Sequence, residues 1–202
     1  MHDFSSTVAI AALSSRVLES RDVPRTRAGV VAALKVTGDP DDLAFAPHVH
    51  VPTSAPLLTR WVDGLIDDDP MLVGYRLGRT SRLLQSAGYV HNLASSFSTA
   101  GRYDVLDVVR GTPTPLSVIA LMHGVMAVDE EALLPATPIT TDVATNLALI
   151  NAVASWVIYV GRNTPGKVGS QARRRALGQL GAALSHSPVH GLLAAAMTGS
   201  VQ

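Results

Sequence analysis

The chain of 202 residues contains no cysteine, 47% hydrophobic residues and 16% charged residues. This composition excludes a disulfide scaffold, a cysteine-based zinc site and a disordered chain, and the length favours one domain with a sizeable core. Sixteen basic residues balance sixteen acidic ones, so the net charge alone indicates no polyanion partner. No basic region followed by a long apolar run opens the sequence, so we expect no secretion signal and an intracellular or virion-associated protein.

Cap and turn signals divide the first part of the chain into predicted helices. Ile10, Leu13 and Val17 recur at helical spacing, which predicts a helix from Ser5 or Ser6 to about Arg21. A second helix is predicted through Val30, Val31 and Leu34 to Gly38, followed by a short helical turn at 39–42. The segment 47–52 is bracketed by prolines and is predicted to be extended.

The clearest amphipathic helix is predicted at 54–66, where the apolar stripe consists of Leu57, Leu58, Trp61, Val62, Leu65 and Ile66. Another helix is predicted from Asp69 to Gly88, and its Gly74 and Gly78 would let a neighbouring helix approach closely. One or two short helices, broken at Gly101, are predicted within 89–110.

Helices are also predicted throughout the rest of the chain. An apolar helix runs from Thr114 through Val128, with a further turn at 129–131. Thr141 and Asp142 cap a long helix to Val160, and after a loop at 161–166 a final amphipathic helix reaches about Ser185, with a short one after Pro188. The sequence therefore predicts a single all-α domain, 1–202, built around a central apolar helix at about 141–160.

A membrane span is the alternative interpretation of the central helix. Fourteen of the eighteen residues in 143–160 are apolar. However, Asn146 and Asn151 interrupt the run, and the preceding apolar stretch is too short to form a spanning hairpin. We therefore expect a buried core helix and no membrane partner.

The zero net charge conceals an uneven distribution. Residues 1–142 hold 11 basic and 16 acidic side chains, whereas 143–202 hold five basic side chains and no acidic one. The five basic residues are Arg162, Lys167, Arg173, Arg174 and Arg175, and they crowd the positive end of the last long helix. Two interpretations stay open: pairing within the molecule, for instance with the acidic runs 67–69 or 129–131, and binding of an external anion.

Three further motifs suggest ligands. The segment 161–167 matches G-x-x-x-x-G-K after a possible strand at 156–160, but Val168 replaces the Mg²⁺-binding Ser or Thr, which leaves a plain anion site at a helix N-terminus. The aspartates 67–69 are interpreted as helix caps rather than as a diphosphate site. His48 and His50 would lie on one side of an extended segment, which makes them weak metal candidates that lack a third ligand.

The favoured hypothesis is a non-enzymatic, self-assembling helical protein, coat- or nucleocapsid-like, that contacts nucleic-acid phosphates without sequence specificity through the five basic residues. No cofactor is expected. One alternative is an enzyme or binding protein for a phosphorylated small molecule, using the loop 161–167. The other is an interaction scaffold that docks a partner on the Trp61 stripe or on the helix containing Gly74 and Gly78.

Overall fold

The computed structural model describes Phe4 and residues 6–19, 27–91, 93, 101–109, 111–134 and 138–185, without the side chains of Lys167 and Val168. The helix predicted after Pro188 lies outside these residues. The elements in chain order are β1 (Thr7–Ser14), a 3-10 turn (Ser15–Val17), β2 (Ala28–Asp39), β3 (Asp42–His50), α1 (Ala55–Ile66), β4 (Met71–Gly74), α2 (Leu77–Ser86), β5 (Arg102–Asp104), β6 (Val108–Val109), β7 (Thr112–Pro113), α3 (Leu116–Met122), α4 (Glu130–Leu133), α5 (Thr141–Asn163) and α6 (Gly166–Ser185).

The all-α prediction is wrong, because a five-stranded mixed sheet in the order β3-β2-β1-β4-β5 forms the centre of the molecule. β1, β2 and β3 form an antiparallel meander, whereas β4 and β5 run parallel to β1. One hydrophobic cluster joins one face of the sheet to α1 and α2, and a second joins the other face to α3, α5 and α6. The protein is thus an α/β structure with helices on both faces of the sheet.

The first predicted helix is β1, which is buried on both faces. Val8 and Ile10 belong to the cluster with α1 and α2, whereas Ala9 and Leu13 belong to the cluster with α5. A strand covered on both faces has no alternation of polar and apolar residues. Its apolar run therefore satisfied helical spacing by coincidence.

The second predicted helix and the helical turn after it form the β2–β3 hairpin. Asp39 and Asp42 are the last paired residues, and Gly38 adopts a φ of 101° that favours glycine. The predicted extended conformation of 47–52 is confirmed as far as His50 by β3.

The predicted helix at 54–66 is confirmed as α1, but the next one divides into β4 and α2. Gly74 ends β4, and a Cβ there would lie 2.9 Å from the carbonyl oxygen of Ile10, so this glycine permits close strand packing. Gly78 faces open space. The two glycines therefore do not form a helix-packing face, and the prediction that they do is wrong.

The connection between α2 and α5 contains less helix than predicted. The described part of 89–110 contains the strands β5 and β6 rather than two helices. The apolar helix predicted through Val128 ends at Met122. The turn predicted at 129–131 is confirmed by α4.

The predicted central helix is confirmed as α5, although it lies on a sheet rather than among helices. It begins after Thr140, whose side chain accepts a hydrogen bond from the Val143 N–H at 3.4 Å. By length and composition α5 could cross a membrane, but 78% of its most apolar 18-residue window is buried inside the protein. Such packing is that of a core helix.

Candidate functional site

The five basic residues predicted to bind an anion lie around the corner where α5 meets α6. Arg162 is in the last turn of α5, and the short connection 164–165 leads into α6, which carries the other four: Lys167, Arg173, Arg174 and Arg175. The fold brings the five backbone positions to one part of the molecule, but their side chains have different surroundings.

Arg162 is held by residues that follow β5. Its Nη1 donates to the carbonyl oxygen of Val105 at 3.1 Å, and its Nη2 lies 2.5 Å from Oδ2 of Asp107. The arginine side chain is only 22% exposed. The Arg162 charge is therefore neutralised by Asp107 within the molecule, and this side chain contributes little to an external anion site.

Arg175 pairs with the tip of the β2–β3 hairpin. Its Nη1 forms an ion pair with Asp41, and Gln179 Nε2 donates to the Asp41 carbonyl oxygen at 2.6 Å. Because both charged side chains are more than half exposed, the ion pair itself adds little stability. Arg175 and Gln179 thus both contact the hairpin tip from α6.

Arg173 and Arg174 remain without a carboxylate partner among the described residues. Arg173 Nη2 donates to the backbone carbonyl of His123 at 3.3 Å, and Arg174 is exposed. Burial lowers the pKa of His123, and the charges of Arg162 and Arg173 lower it further, whereas Asp107 raises it. The histidine is therefore neutral at pH 7, and the free positive charge here is that of Arg173 and Arg174.

The acidic runs considered as internal partners of these arginines pair with other cations. Asp68 lies 3.3 Å from Lys35 Nζ, and Glu131 lies 3.5 Å from Arg76. The aspartates 67–69 follow the end of α1 and precede β4, so the prediction that they cap a following helix is wrong.

The segment 161–167 is not a phosphate-binding loop. The residues 156–160, which the motif would require as a strand, lie inside α5 and are buried. The connection consists of residues 164–165 only, and a Cβ at Gly169 would contact the carbonyl oxygen of Thr164. The strand–loop–helix context of the motif is therefore missing.

Gly161 allows α5, α6 and the end of α3 to meet. A Cβ at this position would lie 2.7 Å from Nδ1 of His123 and 3.5 Å from Cζ of Arg173. We expect Gly161→Ala to lower the free energy of unfolding by about 1–3 kcal/mol through overpacking, measured by urea denaturation. Gly178→Ala is the matched control on α6, because nothing lies within 4 Å of its Cβ. An equal effect of both substitutions would contradict the close approach.

His48 and His50 lie on the same side of β3, as their spacing predicts, and the imidazole of His50 stacks on Trp61 with ring centroids 5.3 Å apart. Burial lowers the pKa of both histidines, and Lys35 lowers that of His48 further. Within the described residues no group of three potential ligands forms around them. The weak metal prediction therefore gains no third ligand.

A crevice at the carboxyl ends of β1 and β4 was missed by the sequence analysis. It is lined by Ala11 and Leu13 from β1, Arg79 and Thr80 from α2, Asn151 and Ser155 from α5, and Glu130 from α4. Ligands of open α/β sheets bind at the carboxyl ends of strands, which makes this position notable. No sequence pattern indicated this crevice, because β1 and β4 lie in segments that were predicted to be helices.

Glu130 closes the crevice and is only 3% exposed as a side chain. It accepts hydrogen bonds from the Ser14 N–H at 3.3 Å and from Ser14 Oγ, and its Oε2 lies 2.9 Å from Arg79 Nη2. Glu130, in the turn predicted at 129–131, is thus the most buried carboxylate among the described residues.

No protein family model matches the chain, and no curated protein or solved structure is significantly similar to it. Function must therefore be argued from the site itself.

Proposed function

We propose that the chain binds nucleic acid through phosphate contacts made by α6. One observation carries the proposal: α6 has four basic residues and no acidic one, and Arg174 projects exposed without a side-chain partner among the described residues. Arginine is suited to phosphate because its planar guanidinium donates two hydrogen bonds at once. Contacts of this kind do not read sequence.

The number of free cations limits the affinity of one subunit. Arg162 and Arg175 are paired with carboxylates, which leaves Arg173 and Arg174 as the phosphate contacts among the described side chains. Two contacts on duplex DNA correspond to a slope of about −2 in log K against log salt, or about a 12-fold loss between 50 and 200 mM salt. Useful affinity then requires several subunits acting together.

An exposed apolar surface beside the basic residues supports self-association. On α3 the side chains of Val118, Leu121 and Met122 share one face and are 47%, 77% and 78% exposed. His123, which follows them, accepts the hydrogen bond from Arg173. Contact between two copies at this face would cover the apolar side chains and place two α6 helices in one assembly.

The structure changes the basis of the other hypotheses. A phosphorylated small molecule was assigned to the loop 161–167, which does not have the required strand before it. The scaffold hypothesis used the Trp61 stripe, which is present on α1, and a Gly74/Gly78 helix, which divides into β4 and α2. The coat- or nucleocapsid-like setting was inferred from the charge distribution, and its helical type does not agree with the sheet.

The double variant Arg173→Ala/Arg174→Ala is expected to reduce the salt slope of nucleic-acid binding by about 2, since each lost phosphate contact removes about 1. Fluorescence anisotropy with a labelled duplex across a salt series measures it. Arg60→Ala/Arg82→Ala is the matched control, because it removes two exposed arginines from the helices on the opposite face of the sheet. Equal losses in both variants, or no binding by the wild type at low salt, would refute the proposal.

A further inference from the structure

The crevice at the carboxyl ends of β1 and β4 has features of a binding site that are independent of α6. We propose that Ser14 and Arg79 form a site for an oxyanion, a carboxylate or a phosphate group, and that the Glu130 carboxylate occupies it in the ligand-free protein. An incoming anionic ligand displaces Glu130 and moves α4 outward.

The donors around Glu130 are those that bind oxyanions. A backbone N–H and a hydroxyl come from Ser14, and a guanidinium comes from Arg79. Hydrogen bonds from charged donors to an oxyanion are short and strong. The donors come from two different elements, the end of β1 and the first turns of α2, so the site keeps its shape when α4 leaves.

Two spaces near Glu130 are available to a ligand. The crevice holds a small void of about 40 Å³, lined by Glu130 together with Thr80, Asn151 and Ser155 among others. A separate open groove of about 470 Å³ is lined by Arg76 and Pro113 among others, and it shares Tyr75, Asp129 and Glu131 with the void. We expect the anionic group of a ligand at Arg79 and its remainder past these shared residues in the groove.

The polar contacts between α4 and the sheet are few, although Leu133 and Leu134 also pack against the hydrophobic core. The helix has only four residues. Of its neighbouring carboxylates, Asp129 bonds to Ser117, and Glu131, 63% exposed, pairs with Arg76 at 3.5 Å. The exposed pair adds little stability. Glu130 is thus the main polar contact between α4 and the sheet.

Backbone strain lies at the same place. Arg76 has a φ of 52°, a conformation that non-glycine residues adopt at a cost, and its N–H donates to Asp104 at 2.8 Å. Arg76 lies between the end of β4 and the start of α2, three residues before Arg79, whose side chain pairs with Glu130.

The test is anion rescue of Glu130→Ala, followed by thermal unfolding at constant ionic strength. We expect inorganic phosphate or acetate to raise the Tm of this variant by several degrees more than chloride does. A gain with acetate alone limits the site to carboxylates, and a gain with phosphate extends it to phosphate groups. The additional substitution Arg79→Ala should abolish the gain.

Glu131→Ala is the matched control, because it removes a neighbouring carboxylate of the same segment that pairs with Arg76 at the surface. It should gain less from phosphate or acetate relative to chloride than Glu130→Ala does, because Glu130 still competes with the anion for Ser14 and Arg79. If Glu130→Ala does not fold, Glu130→Gln keeps the side-chain shape and removes the charge, and the same anion preference is expected. The proposal is overturned if neither anion exceeds chloride, or if the gain survives without Arg79.

Hydrogen exchange of the wild-type protein tests the displacement of Glu130 independently. Phosphate should increase hydrogen exchange at 129–134 relative to chloride at equal ionic strength, because released α4 amides exchange faster. No increase would show that Glu130 is a permanent structural contact, and the proposal would fail. Because α6 is not involved, this outcome leaves the nucleic-acid proposal unaffected.

Discussion

Replacing Trp156 by alanine should lower the free energy of unfolding by about 3–5 kcal/mol, the usual cost of deleting a fully buried aromatic side chain. Trp156 has no exposed surface, its ring packs edge-on against Phe45 with centroids 5.2 Å apart, and its Nε1 donates to Thr7 Oγ1 at 3.1 Å. The substitution removes the contact between α5 and two strands of the sheet at once. Urea denaturation followed by circular dichroism measures the change.

The second tryptophan provides the comparison. Trp61 is partly exposed on α1 and stacks on His50. Trp61→Ala should therefore cost less than half as much as Trp156→Ala. Equal effects of the two substitutions, or a cost of less than about 1.5 kcal/mol for Trp156→Ala, would contradict the close packing of α5 on the sheet through Trp156.

The other large effect is expected at Asn151. Its Oδ1 accepts from the Val128 N–H and its Nδ2 donates to the Val128 carbonyl, both at 2.8 Å. Asn151→Leu removes both of these side-chain hydrogen-bonding atoms. The N–H and the carbonyl of Val128 then face an apolar side chain. Since each such group costs about 1–3 kcal/mol, we expect a loss of about 2–4 kcal/mol, together with faster hydrogen exchange at 128–134.

Asn146→Leu is the matched control, because it makes the same change one and a half turns earlier in α5, where the side chain is partly exposed. We expect its effect to lie within about 0.5 kcal/mol of zero. If α5 spanned a membrane with Asn151 towards lipid, Asn151→Leu would stabilise the protein instead. Chemical denaturation of the two variants therefore also distinguishes the core helix from a membrane span.

The sequence predicted helices best where their signals are long and capped. α1 and α5 were located to within a few residues because long apolar patterns begin there next to cap residues, although the cap of α5 is Thr140 and not Thr141 or Asp142 as predicted. β1 and β2 were misread because a strand buried on both faces has the same composition as a buried helix. The β-branched pair at Val30 and Val31, and the glycine and proline around 38–40, were the strand and hairpin signals that could have corrected the reading.

The candidate site was predictable only in part. The basic residues of α6 stand out by counting charges, but the carboxylates that neutralise Arg162 and Arg175 lie 55 and 134 residues away in the sequence. Such pairings follow from the fold rather than from local spacing. Glu130 could not be recognised, because its burial depends on Ser14 and Arg79 meeting through a sheet that periodicity did not indicate.

The position of α5 late in the chain has a consequence for biosynthesis. The last strand of the sheet ends at Asp104, but the helix that covers Ala9, Leu13 and Leu34 begins only at Thr141. During translation the nascent sheet therefore presents an uncovered apolar face until the polypeptide has been made as far as Asn163, about four fifths of its 202 residues. An intermediate of this kind is prone to aggregate and is a natural client for ribosome-associated chaperones.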